Sequence, residues 1–240
     1  MHNLVLSGGV GHPFAQTSAM LADLLAPLGI RSEVAEPHEW DTALEQLPDG
    51  PPGVITVNAL RWRMLSDRYD HLRDANGYTT TLALRRAISD HMARGGVLLS
   101  LHTSCICFDD WPEWGAMLGA SWDWHTSFHP VLSDDVEVHV LTSGSTFTVT
   151  DELYHSLHVS DPDREVVVAA RLPRNSFIQN HPPAGASGVG EWHPVMWRRT
   201  HGTGRVVVDT LGHDDRSMSH PVHLEALRSA VQWAVASQPG

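Results

Sequence analysis

At 240 residues with a 42% hydrophobic share, the chain is long enough to bury one large α/β core and too apolar for a disordered protein. A formal charge of −12 disfavours non-specific contact with nucleic acid or an anionic membrane, and no apolar run is long enough to cross a bilayer. All 16 basic residues are Arg, which excludes Schiff-base catalysis by lysine and the lysine of a phosphate-binding P-loop.

The N-terminus has no basic residue before its apolar stretch and reads as a strand, Asn3 to Leu6, rather than a signal peptide; the expected location is the cytoplasm. The strand ends in the turn Gly8-Gly9-Val10-Gly11. Apolar residues then repeat at helical spacing from Phe14 to Leu28, with Gly29 as the stop. Arg31 to Ala35 is a second strand, and Gly53 to Val57, after Pro51-Pro52, a buried third. The polar stretch from Arg61 to Gly77 carries no clear period. Thr81 to Arg94 is an amphipathic helix closed by Gly95-Gly96, and Val97 to Leu101 is a strand expected at the centre of the sheet.

A short helix around Met117-Leu118-Gly119-Ala120 follows. Val136 to Val140 alternates in strand fashion and Glu165 to Ala169 is a short apolar run, together suggesting an antiparallel extension. Pro173 to Glu191, rich in Pro, Gly, Asn and Ser, reads as a long loop near the site. Val195-Met196-Trp197 and Arg205 to Val208 form a closing hairpin around His201 to Gly204, and Pro221 to Ala236 is a C-terminal helix. This alternation predicts an α/β fold of three layers, a mainly parallel sheet with helices on both faces, in a single domain over residues 1–240.

In such sheets ligands gather at the carboxyl ends of the strands. That rule selects four exits: Gly8 to His12, His102 to Cys107, Asp151 to His155 and Gly212 to Asp215. All are rich in His or carboxylates. At the second exit, Ser100 and Ser104 provide small residues around a sharp bend with His102 at its centre. This resembles the strand-turn-helix elbow of class I glutamine amidotransferases, which carry a nucleophilic Cys there. An imidazole cannot form the thioester that glutamine hydrolysis needs, and Cys105 comes three residues late, so the chain is not read as a glutaminase.

The long pattern Pro194-Val195-Met196-Trp197, Gly202-Thr203-Gly204-Arg205 and Leu211-Gly212-His213-Asp214, with Leu101-His102, Leu118-Gly119-Ala120 and Asp151-Glu152-Leu153-Tyr154, resembles the ThuA-like proteins of trehalose utilisation. The resemblance runs from about Asn3 to Ala236 and implies the amidotransferase-like, flavodoxin-like architecture, a place in carbohydrate metabolism, and a sugar or sugar derivative as ligand. One departure stands out. The family's His-Pro segment shortly before Asp-Glu-Leu-Tyr is missing from Leu141 to Thr150, and His129-Pro130 lies earlier.

The candidate catalytic residues are His102, His213, Glu152 and Asp214, as acid/base groups or metal ligands. Gly11, His12, Trp124, His125 and Tyr154 are candidates for ligand contact, and His102 and His213 for a divalent metal such as zinc. Bland readings stand beside these. His102 also suits a buried His bonded to a backbone carbonyl, Asp214 or Asp215 a helix N-cap, and Asp151 to His155 the first turn of a helix. Trp111, Trp114, Trp122 and Trp124 suit a sugar platform or a packed cap. Cys105 and Cys107, one residue apart, suit neither a disulfide nor a zinc knuckle. A non-catalytic binding module on a degenerate amidotransferase scaffold is the rival reading, and a homo-oligomer is left open.

Overall fold

The computed structural model describes residues 1–47, 53–173 and 189–236. Eleven strands and seven α-helices follow in the order β1 (His2–Gly9), α1 (Phe14–Leu25), β2 (Arg31–Ala35), α2 (Trp40–Glu45), β3 (Val54–Leu60), α3 (Asp70–Asn76), α4 (Leu82–Ala93), β4 (Val97–Leu101), α5 (Pro112–Leu118), β5 (Ala120–Ser121), β6 (Ser133–Val140), β7 (Thr146–Asp151), β8 (His158–Val159), β9 (Glu165–Arg171), β10 (His193–His201), β11 (Gly204–Asp209), α6 (Asp215–Met218) and α7 (Pro221–Ala236). Nine of the strands form one sheet in the order β2-β1-β3-β4-β11-β10-β9-β6-β7.

The first five of that row are parallel, and every pairing from β11 outward is antiparallel. The strand alternation of side chains explains the layers. Val5, Val97, Leu99 and Val207 face one side and pack against α1 and α7 through Leu21, Leu25, Leu227 and Val231. Their neighbours Leu4, Leu6, Leu98 and Val208 face the other and meet Trp40, Leu44, Leu84 and Ile88 of α2 and α4. Three layers result, as the α/β pattern predicts.

Several expectations are refined. The helix begun at Phe14 changes to a 3₁₀ turn over Ala26–Leu28 before Gly29, whose φ of 72° closes it. The polar stretch after Arg61 contains α3. β4 is fourth in the row and β11 is central, because the antiparallel extension has four strands and not two. The additional strand β7 lies in the Thr-rich alternation Thr146 to Thr150. No helix follows Asp151: residues 152–154 have no regular secondary structure after an edge strand, so the helical reading of that segment is corrected. Most of the expected loop Pro173 to Glu191, residues 174–188, lies outside the described residues. Among the described residues, no helix is long and apolar enough to cross a membrane.

Four successive antiparallel steps from β11 bring β7 back to the direction of the parallel strands. The chain leaving β7 at Asp151 therefore emerges on the same rim as that leaving β1, β4 and β11. β1 approaches β3 closely there: a Cβ on Gly9, whose φ is 141°, would lie 2.4 Å from the Leu60 carbonyl oxygen, so only glycine fits.

Candidate functional site

The chain leaves β4 through an extended Leu101 and bends at His102, whose φ of 45° lies in the left-handed region. For a non-glycine residue such backbone costs on the order of 1–3 kcal/mol and persists only when neighbours enforce it. The enforcement is visible. The hydroxyls of Ser100 and Ser104 bond to each other across the bend, Thr103 Oγ1 donates to the Ala59 carbonyl at 2.7 Å, and Trp114 Nε1 donates to the Ser104 carbonyl at 3.0 Å. The bend projects a buried His102 ring between the ends of β1, β7 and β11.

Glu152, the first residue beyond β7, forms the centre of a cluster. Its Oε2 lies 3.5 Å from His102 Nε2, 3.7 Å from His12 Nε2 and 3.0 Å from the donating Tyr154 hydroxyl. Its Oε1 lies 3.7 Å from both His213 Nε2 and His129 Nδ1. The rings of His12, His102 and His213 sit 4.7–5.5 Å apart, centroid to centroid. Four exits thus converge, with His129 added from the segment before β6.

The other nitrogens of the three rings explain their orientation. His102 Nδ1 is 2.9 Å from the Thr210 carbonyl, His12 Nδ1 is 3.2 Å from the Val10 carbonyl, and His213 Nδ1 is 3.2 Å from Asp214 Oδ2. Carbonyl and carboxylate oxygens only accept, so each Nδ1 carries a proton and each ring turns its Nε2 toward Glu152. Donation of one imidazole N–H to an oxygen while the other nitrogen faces a shared centre is the arrangement of metal-ligating histidines. The spacing fits as well. Separations of 3.5–3.7 Å are too long for hydrogen bonds, but ligands bonded at 2.0–2.1 Å around a tetrahedral ion stand about 3.3 Å apart. His12 Nε2 is buried without a hydrogen-bond partner, and one atom each from His12, His102 and Glu152 lie mutually within 4.8 Å.

Electrostatics favour charge separation in the cluster. Burial works against a protonated His102, but Glu152 and Asp151 outweigh it and raise the imidazole pKa. Burial likewise opposes the Glu152 carboxylate, yet the facing imidazoles, His102 foremost, hold it well below the usual carboxylate range. His213 is lowered, mainly by burial. Tyr154, buried and stacked 5.0 Å from His102, is pushed well above its ordinary value by burial and by Glu152, so it remains a neutral donor.

Beneath the cluster, one buried carboxylate ties two exits together. Asp151 accepts from the backbone N–H of Glu152 at 2.7 Å, of Gly212 at 2.7 Å and of His213 at 3.4 Å. The sequence marks Asp151 only as part of an exit; its clamping role depends on β7 and β11 ending side by side, which spacing does not reveal.

The remaining candidates spread out. Asp214 is one step behind the cluster: it caps α6 by accepting from the Arg216 N–H at 2.9 Å, pairs with the Arg216 guanidinium, and orients His213. Gly11 is an exposed turn residue with φ of 77°. His125 is exposed on a turn closed by Asp123, its N–H donating to Asp123 Oδ1 at 2.7 Å. Trp124 stacks on Trp62 at 6.0 Å, whereas Trp111 and Trp114 are buried in the core, so the four tryptophans divide between packing and surface. Trp122 joins the two sets, its ring 5.6 Å from Tyr154 and 5.9 Å from His129. His129 is absent from the sequence candidates; the available signal is that His129-Pro130 is a His-Pro pair upstream of Asp-Glu-Leu-Tyr. Cys105 and Cys107 are buried free thiols, both pushed up by burial, Cys107 to about 12, and bonded to backbone carbonyls.

Comparisons with known proteins bear on the family and the fold. A family model described as trehalose utilisation, ThuA, matches residues 4–234. Two crystal structures of ThuA-like proteins superpose over 99% of the chain at 16% identity: one from Parabacteroides merdae, with 91% of its length covered and a TM-score of 0.66, and one from Bacteroides uniformis, with 92% and 0.65. A β-galactosidase from Halorubrum lacusprofundi matches 98% of the chain with 30% of its own length, at 13% identity and a TM-score of 0.57. No curated protein matches.

Proposed function

The chain belongs to the ThuA family, and on that premise we propose that it is an enzyme of carbohydrate utilisation that holds a divalent metal in its His–Glu cluster and acts there on a sugar or sugar derivative. The observation that carries the reading is the set of three imidazoles with every Nδ1–H engaged by oxygen and every Nε2 turned on one carboxylate. His12, His102 and Glu152 supply the primary ligands, and His213 completes a set of nitrogen and oxygen donors that suits zinc.

Such an ion would polarise a carbonyl or hydroxyl of the sugar. Tyr154 donates a hydrogen bond to Glu152 at 3.0 Å and so steadies that carboxylate at the centre of the site. His129, the most exposed ring of the cluster at 33%, stands on the solvent side, where a substrate enters. The location expected for the activity is the cytoplasm.

Elemental analysis of the purified protein tests the metal. About one zinc per chain is expected, lost in H102A and E152A, while both variants keep their circular dichroism. Zinc-free protein after loading, or full occupancy in both variants, overturns it. The rival reading, a binding module without chemistry, gains from a sugar-dependent rise in melting temperature without turnover.

A further inference from the structure

A second feature lies on the other side of His12. At the ends of β1, β2 and β3 a cleft of about 540 Å³ is lined by Ser7, Gly8, His12, Gln16, Glu36 and Arg61 among others. The sheet order β2-β1-β3 places it at a topological switch point: α1 packs on one face of the sheet and α2 on the other, so the chain diverges between β1 and β3. Open α/β sheets bind ligands in such crevices. His12 lines this cleft and belongs to the His–Glu cluster, so the two adjoin across its ring.

Its polar groups are incompletely used. The Glu36 side chain has no hydrogen bond or ion pair among the described residues; a Cβ on Gly8 would lie 3.4 Å from its Oε2, which puts the carboxylate over the β1 turn. Arg61 spends one nitrogen on the Asn76 carbonyl at 3.0 Å and has no carboxylate partner among the described residues, while its buried Nε is without an acceptor. A buried donor without a partner is costly and calls for a ligand or water. Phe14, Pro13 and Pro37 supply apolar walls.

We propose that this cleft binds the distal part of a neutral, polyhydroxylated ligand whose reacting end lies at the His–Glu cluster, with Glu36 and Arg61 as its hydroxyl contacts. A free carboxylate disfavours an anion and a free guanidinium disfavours a cation, whereas hydroxyl groups donate to one and accept from the other. The volume lies within the 300–1,000 Å³ typical of ligand pockets and suits a two-ring ligand better than a single ring. The inference rests on the proposed sugar chemistry of the adjoining cluster.

Calorimetric titration of the zinc-treated protein with trehalose, glucose and gluconate tests it. Trehalose should bind at least tenfold more tightly than glucose. E36Q and R61Q should each weaken trehalose at least tenfold, glucose less than threefold, with zinc content unchanged. Glu36 is exposed, so E36Q keeps the test readable if R61Q folds poorly. Trehalose affinity unaltered in E36Q, tighter binding of gluconate than of trehalose, or no binding of any of the three overturns the cleft. Glu36-dependent trehalose binding by a protein that takes up no zinc upholds the cleft and removes the metal reading alone.

Discussion

Two His–carboxylate arrangements lie within the same fold and differ in one respect. Behind the site, His223 and Asp209 form a fully buried pair: Nε2 lies 2.8 Å from Asp209 Oδ2, Nδ1 lies 3.0 Å from the Ser217 carbonyl, and Asp209 also accepts from the Leu211 N–H at 3.0 Å. Every polar atom of that imidazole is used internally. In the strand-end cluster each Nδ1 is engaged by an oxygen, while the Nε2 atoms face Glu152 at 3.5–3.7 Å and, among the described residues, only that of His102 has a further partner, the Tyr154 hydroxyl at 3.4 Å. A closed pair holds the structure; a half-closed one is available to something outside the chain.

The comparison is broken or sharpened first by its closed member. Truncation of one partner, H223A, leaves Asp209 buried and uncompensated, and should cost about 3–5 kcal/mol of unfolding free energy, read from urea titration. H102A should cost far less stability while removing metal. If H102A is the more destabilising, the division between a structural and a functional pair is wrong. Next, E152Q keeps the shape of the cluster but removes its charge; metal affinity should fall at least a hundredfold in competition with a chromogenic chelator, with little change in melting temperature.

A smaller effect belongs to Asp214, which bridges the two roles. D214A removes the acceptor of His213 Nδ1 and the cap of α6, so about a tenfold loss of metal affinity is expected together with about 1 kcal/mol of stability. Loss of stability without loss of affinity would make Asp214 a cap and nothing more.

The same comparison can be read in the pH profile. Burial lowers His155 from 6.5 to about 4, so the unfolded chain takes up a proton that the folded one resists; this stability is present above about 6.5 and is lost as pH falls toward 4. His223 has the opposite sign. Burial opposes its charge but Asp209 prevails and raises it to about 9, so its contribution is present below 6.5 and lost as pH rises through 9. Denaturation midpoints should therefore decline on both sides of neutrality, and the alkaline decline should flatten in the double variant D209N/H223Q. An unchanged alkaline slope there refutes a charged pair.

Much of the fold was legible because it follows from local pattern. The alternation in β1 to β4 and the helical period of α1 and α4 are written in consecutive residues, and the strand-end rule then selects His12, His102, Glu152 and His213 as neighbours in space. What was not legible depends on pairing. Thr146 to Thr150 is an edge strand whose polar alternation signals little until β6 lies beside it, and without β7 the chain after Asp151 reads as well as a helix start. His129 is one of 17 histidines, and only the turn before β6 brings it to Glu152. The role of Asp214 was ambiguous for a related reason: an Asp before a short helix caps it whether or not its other oxygen steadies a ring.

The four reversals outward from β11 impose a parity condition. An even number of antiparallel turns returns the chain to the ligand-bearing rim, whereas an odd number would deliver Glu152 to the opposite end of the sheet, some strand-length away from every imidazole. Lengthening or trimming the connecting loops would leave the carboxylate on this rim, whereas gain or loss of a single strand in the wing would carry it to the other. An ion bridging positions as distant as 12 and 213 would then act as a clasp across nearly the whole chain, present only once that wing has been laid down completely.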